Sequence, residues 1–368
     1  MRQPALRFVR STFRNVQTRS FSKSTNIRHL LSMKDLQPDE LTTLVRNAAT
    51  RKEAAKSGNI SKELSTSLAG QTVAMMFSKR STRTRVSTEA AVAMMGGHPM
   101  FLGKDDIQLG VNETLYDTSK VISSMTSCMV ARVSPHSDVA QLAEHSSVPV
   151  INALSNDFHP LQTIADFLTL HEEFGGVNGG SSGVGLVPPG LKIAWVGDAN
   201  NVLFDLAIAC AKLGVHIAVA TPRGYGIPEA TAALIGEQAG SSGTPGTLTQ
   251  HMVPEEAVKG ADVIVTDTWV SMGQEEEAKK RLRDFEGFQV TSELARRGGA
   301  KTGWRFMHCL PRHPEEVSDE VFYSDRSLVF QEAENRLWAA VAALEAFVVN
   351  KGTIKDLNIE TTSANTNG

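Results

Sequence analysis

Short apolar runs alternate along this chain with longer segments in which apolar residues recur every three or four positions. In the first half, the runs at 73–77, 100–102, 128–133 and 148–152 predict strands. The segments between them predict helices. Val86, Ala90, Ala93 and Met94 form one periodic face, Leu115, Thr118, Ile122 and Met125 a second, and Ile164, Phe167, Leu168 and His171 a third. Regular alternation of this kind implies a parallel sheet with helices on its faces. A second series starts at 192–196, turns at 197–201 and enters a helix carrying Leu203, Leu206, Ala207, Cys210 and Leu213, which Gly214 ends. Further strands are predicted at 215–220, 263–266, 305–308 and 328–330. A last amphipathic helix over about 335–349 carries Leu337, Ala340, Val341, Leu344 and Phe347, and is expected to pack back on the first half.

The predicted fold is therefore α/β, with two doubly wound parallel-sheet domains joined by interdomain helices. Residues 175–190 contain seven glycines, two serines and two prolines, which reads as a linker or surface insertion between the domains. The expected organisation is a first domain over 25–174, a second over 191–333, a closing helix over 334–352 and a polar tail over 353–368. The N-terminus is different in kind. Up to Lys34 there is no acidic residue, while Arg2, Arg7, Arg10, Arg14 and Arg19 are spread among Ser, Thr and apolar side chains. Residues 1–24 are read as a mitochondrial transit peptide and set aside from the fold.

Composition adds limits. At 368 residues with 41% hydrophobic content, the chain has ample material for two cores. A formal net charge of −3 with interspersed signs gives no global basic field, so nucleic acid is not an expected partner. No segment has the apolar length of a membrane span, and membrane is likewise not an expected partner. The three cysteines, Cys128, Cys210 and Cys309, are odd in number and far apart, which argues for a reducing compartment rather than a disulfide framework. No Cys/His spacing points to a metal, and no cofactor is expected.

Ligands of open parallel sheets bind beyond the carboxyl ends of the strands, so the polar residues found there are the candidates for chemistry. After the first strand come Ser81, Thr82, Arg83, Thr84 and Arg85 at a helix start. Hydroxyls, free backbone N–H groups, helix dipole and arginine suit an anion there. The third strand leads to Arg132, and the fourth to His159, Pro160, Leu161 and Gln162. Together these suit a phosphate joined to a carbonyl. Each residue alone has a plainer reading: a solvated arginine, a structural ion pair, a helix cap.

The second domain offers acceptors and amides instead. Asp198, Asn200 and Asn201 follow its first strand, Asp267 another, and His308, Cys309, Leu310 and Pro311 a third. Asn201, Asp267 and Ser271 suit the ammonium and carboxylate of an amino acid, and Asp267 and Cys309 are groups to which a proton can pass. The plainer readings are a turn at Asn200 and Asn201 and a buried small apolar residue at Cys309. A nicotinamide-dependent dehydrogenase is disfavoured, because the stretch from Gly197 to Val202 lacks the second and third glycines of the dinucleotide fingerprint. A non-catalytic amino-acid-binding protein leaves the carbonyl-directed Arg132 and His159 unexplained.

These motifs, in this order, resemble the ornithine carbamoyltransferases, and the likeness runs from about Arg28 to Lys355. The Ser271-Met272-Gly273 and Cys309-Leu310 features distinguish that family from the aspartate enzymes, which share the phosphate loop and the His159 motif. Relatives acting on acetylornithine or putrescine are the alternatives. The resemblance implies carbamoyl transfer from carbamoyl phosphate to the δ-amine of L-ornithine in the mitochondrial matrix. Carbamoyl phosphate would be bound by Ser81, Thr82, Arg83, Thr84, Arg132, His159, Gln162, Cys309, Leu310 and Arg336. Ornithine would be bound by Asn201, Asp267, Ser271 and Met272, with Arg132, His159, Asp267 and Cys309 in catalytic roles. It also implies a homotrimer in which Gln108 reaches the neighbouring site.

Overall fold

The computed structural model describes residues 27–107, 113–175, 185–240, 243–270 and 277–357. Residues 1–24, Gln108, Ser271, Met272, most of the glycine-rich stretch and the end of the tail lie outside them. The first sheet contains β1 (Thr72–Phe77), β2 (His98–Gly103), β3 (Cys128–Arg132) and β4 (Val150–Leu154). All its pairings are parallel, in the order β2-β1-β3-β4. The second contains β5 (Lys192–Val196), β6 (His216–Ala220), β7 (Leu248–His251), β8 (Val263–Thr266) and β9 (Arg305–His308). It is also wholly parallel, in the order β7-β6-β5-β8-β9.

The central strands β1, β3, β5 and β8 are almost entirely buried, as expected of parallel strands covered on both faces. Both sheets reverse strand order in the middle, between β1 and β3 and between β5 and β8. Loops leaving neighbouring strands diverge at such a reversal and open a crevice. Helices Pro38–Lys56, Pro160–Phe174 and Val329–Leu344 pack on one another, and helix Asn201–Leu213 of the second domain packs on the first two. They join the domains in one apolar core running from Leu30 to Phe347.

Three local expectations change. Residues 328–330 are not a strand: Leu328 makes one bridging hydrogen bond, its N–H to the Phe306 carbonyl at 2.8 Å, and helix Val329–Leu344 starts at once. Phe330 is exposed, so that apolar run lacks the two-sided cover a parallel strand needs. Strand β7 escapes the sequence pattern because it is a polar, half-exposed edge. Helix Thr82–Met94 buries Thr84, Ser87, Thr88, Ala91 and Val92 instead of its most apolar stripe, leaving Val86 exposed.

Candidate active site

Ser81, Thr82, Arg83, Thr84, Arg132, His159, Gln162, Asn201, Asp267, Cys309, Leu310 and Arg336 all line one cleft of about 1320 Å³ between the domains. Gln108, Ser271 and Met272 are outside the described residues. The cleft lies at the carboxyl ends of β1, β3, β5, β8 and β9, where both sheets reverse their order.

The first-domain wall is cationic. Ser81 caps helix Thr82–Met94 by accepting from the Thr84 N–H at 3.3 Å, which aims the helix start into the cleft. Arg83 donates across the cleft to the Leu310 carbonyl (2.6 Å), and Arg336 donates to Gln162 Oε1 (2.7 Å) and Thr84 Oγ1 (3.4 Å). Arg132 and Arg336 are buried, and the Nε of each has no hydrogen-bond partner among the described residues. Among the described residues, no carboxylate forms an ion pair with Arg83, Arg132 or Arg336. Burial first, and then the other guanidiniums, pull Arg132 down to about 10. Arg336 is pulled to about 10 chiefly by burial.

His159 is buried at the start of helix Pro160–Phe174. Its backbone N–H donates to Asp205 Oδ2 (2.8 Å), while its ring Nδ1 has no partner among the described residues. Burial, reinforced by Arg336, Arg132 and Arg83, holds the ring well below the ordinary imidazole range. A neutral ring offers one donor and one acceptor to a carbonyl-bearing ligand.

The second-domain wall is a chain of polar contacts centred on Asp267. Cys309 Sγ donates to Asp267 Oδ1 (3.0 Å), and Asn200 Nδ2 donates to Oδ2 (2.7 Å). Asn200 also caps helix Asn201–Leu213 through its carbonyl oxygen. Burial and then the Asp267 charge push the Cys309 thiol far up, so it is a hydrogen-bond donor rather than a thiolate. Asn201 donates to the first-domain Ser155 carbonyl at 2.6 Å. Leu310 has φ 63°, an unusual left-handed conformation for a branched side chain, and its carbonyl receives Arg83. Gly197, φ 144°, makes the tight turn after β5; a Cβ there would lie 3.0 Å from Thr266 Oγ1.

Asp198 is different. It forms a buried ion pair with Arg281 at 2.8 Å, so its charge is already matched. Arg281 sits in a helix of charged residues and gives no sign of burial in the sequence. Asp166, Asp205 and Glu332 were also missed, although Asp166 and Asp205 each interrupt an apolar helical stretch, which is a readable signal. Among the described residues, no group of His, Cys, Asp and Glu side chains is arranged to hold a metal ion.

Comparison with known proteins fits this geometry. Residues 28–172 match the carbamoyl-P binding domain of the aspartate/ornithine carbamoyltransferases, and residues 189–347 match their Asp/Orn binding domain. The chain belongs to the aspartate/ornithine carbamoyltransferase family. A mitochondrial ornithine carbamoyltransferase of Aspergillus niger is 66% identical over 96% of this chain and 95% of its own length. One from Coccidioides immitis is 70% identical over 89% of this chain and 94% of its own. Among solved structures, a Coccidioides immitis mitochondrial ornithine carbamoyltransferase has a TM-score of 0.83 at 67% identity, covering 89% of this chain and 100% of that one. The Pyrococcus furiosus ornithine carbamoyltransferase has a TM-score of 0.79 at 42% identity, covering 88% and 97%. In carbamoyltransferase terms, Arg83 and Arg132 belong to the carbamoyl-P domain, and Arg336 and the Asp267 wall to the Asp/Orn domain.

Proposed function

We propose that this chain transfers the carbamoyl group of carbamoyl phosphate to the δ-amine of L-ornithine, giving L-citrulline and phosphate. The observation that carries the reading is the convergence of Arg83, Arg132 and Arg336 on one cleft with no carboxylate ion-paired to them among the described residues, opposite the Asp267 cluster. Such an arrangement is costly without a counter-charge and suits a doubly charged anion.

In the proposed reaction the amine attacks the carbonyl carbon, and the carbonyl oxygen becomes an oxyanion held by Arg132, neutral His159 and Thr84. The C–O bond to phosphate then breaks, and the phosphate leaves against Ser81, Thr82 and Arg83. Fixed donors aimed at developing charge supply the acceleration. An alkylammonium with a pKa of about 10.4 costs about 4 kcal/mol to deprotonate near pH 7.4. Asp267 is the proton acceptor. Cys309, a neutral donor, positions the Asp267 carboxylate. Gln162 takes the carbamoyl amide, and Asn201, Asp267, Ser271 and Met272 take the amino-acid end. Domain closure completes the site, so carbamoyl phosphate binds first.

The decisive assay measures ureido product from carbamoyl phosphate with ornithine, acetylornithine, putrescine and aspartate in parallel. Ornithine should be the preferred acceptor by orders of magnitude; preference for another acceptor overturns the assignment. The names of the mitochondrial relatives and the acid-free, arginine-bearing N-terminus support a matrix location. A homotrimer built through the first domain is supported by exposed Val86, Met100, Tyr116, Val121 and Met125 there. Light scattering at the mass of one chain would refute it.

A further inference from the structure

Behind the donor site lies a buried network in which Gln162 and Arg336 meet two carboxyl groups, Asp166 and Glu332, that have no part in the chemistry above. Gln162, Asp166, Glu332 and Arg336 are each almost wholly inaccessible to solvent. Gln162 Nε2 donates to Asp166 Oδ1 at 2.8 Å and to Glu332 Oε1 at 3.0 Å, which uses both of its hydrogens. Its Oε1 accepts from Arg336 Nη1 at 2.7 Å. Glu332 is itself fixed by the His308 N–H, which donates to Oε2 at 2.9 Å.

Turning the amide over would set its oxygen against two carboxyl groups and its NH2 against a guanidinium. All three hydrogen bonds would be lost and replaced by like-against-like contacts. The orientation is therefore dictated by the network, where an isolated glutamine would be free to choose. Burial raises both carboxyl groups, Asp166 to about 7 and Glu332 well above the ordinary range.

The consequence concerns the donor substrate. Gln162 lines the cleft, and a carbonyl oxygen has two lone pairs, of which Arg336 takes one. What remains is an acceptor and nothing else. An NH2 group satisfies it, whereas a methyl group of the same size leaves it desolvated and unpaired. We infer that Asp166 and Glu332 are positioning residues that lock Gln162 acceptor-first, and that this lock makes the donor site discriminate a carbamoyl phosphate from an acyl phosphate of the same shape. The inference rests on the proposed function, because it assigns the cleft to carbamoyl phosphate.

Acetyl phosphate, in which CH3 replaces NH2, is the probe. The test compares kcat/KM for carbamoyl phosphate with the competitive Ki of acetyl phosphate in the wild type, Asp166→Leu and Gln162→Met. In both variants kcat/KM for carbamoyl phosphate should fall about tenfold or more, while the Ki of acetyl phosphate stays within about twofold. Asp166→Leu should add nothing further in the Gln162→Met background. A purely structural role for Asp166 would weaken both ligands together, and that result overturns the inference. So does an unchanged ratio in Gln162→Met. Should Asp166→Leu fail to fold, the near-isosteric Asp166→Asn carries the test. Without the carboxylate the amide can seat either way round, so a smaller fall of about threefold in the same ratio is expected, and no fall refutes the lock. Wild-type protein that forms no citrulline from carbamoyl phosphate would instead refute the underlying function.

Discussion

Replacing Arg132 with Met should separate stability from activity. Burial and the guanidiniums of Arg336 and Arg83 hold Arg132 down to about 10. Relative to an ordinary arginine, keeping that buried charge costs on the order of 3 kcal/mol. Methionine keeps the aliphatic stem and about the same reach but removes the charge and the unpartnered Nε. Part of the relief is offset by lost packing, so a net stabilisation of about 1–2 kcal/mol is expected, a rise of a few degrees in Tm. Catalysis should fall by about 10²–10³, the usual effect of removing one preorganised oxyanion donor. Thermal melts with and without inorganic phosphate, alongside citrulline assays, read all of this. Phosphate should raise the wild-type Tm by several degrees and the variant's by much less. A lower Tm for Arg132→Met, with activity lost in proportion to unfolded protein, would refute the reasoning and make Arg132 a structural residue.

The other expectations rest on neighbouring groups. Asp205 accepts from Ser32 Oγ, the Met33 N–H and the His159 N–H, yet burial still lifts it from 3.8 to about 7. A carboxyl raised in the folded state contributes stability that is full below pH 3.8 and is lost as pH rises through about 7. That loss is on the order of 4 kcal/mol. Urea melts at pH 5 and pH 8 should therefore show the wild type losing stability relative to Asp205→Asn; a parallel pH response of the two would refute this. For His159, held neutral by burial and three arginines, turnover should rise between about pH 6 and 8.5 with the substrate amine and show no separate inflection at imidazole pKa. An inflection near 6.5 that vanishes in His159→Gln would show that the ring titrates. Cys309→Ser keeps a donor to Asp267 Oδ1 and should retain at least tenfold more activity than Cys309→Ala. Equal losses in the two would mean that the donated hydrogen bond does not matter.

Most of the strands and the polar residues beyond them were legible because parallel strands buried on both faces are nearly continuous apolar runs, and the ligand-facing residues must follow them. Arg83, Arg132, His159, Asp267 and Cys309 were found by that rule. Residues that act behind the cleft were not, since nothing in spacing says that Glu332, in a run beginning Val-Phe-Gln, turns inward to meet Gln162 on a helix 170 positions away in the chain. Helix Thr82–Met94 misled for another reason. Its apolar stripe at Val86 is exposed in the single chain, and periodicity measures which face is apolar without saying what covers it.

The hydrogen bond from Arg83 to the Leu310 carbonyl joins these points into a view of how the cleft works. Arg83 belongs to the phosphate loop of one domain, and Leu310 lies just after β9 of the other. This contact ties the two walls, but it spends a charged donor on a neutral carbonyl. A phosphate is the stronger acceptor, and it neutralises Arg132 and Arg336 as well. Binding the anion therefore removes the mutual repulsion of three guanidiniums, which otherwise also repel a cationic amino acid approaching Asp267. The same charge change that would seat the donor would make the acceptor's ammonium group welcome, so electrostatics as well as closure supports the proposed order of binding.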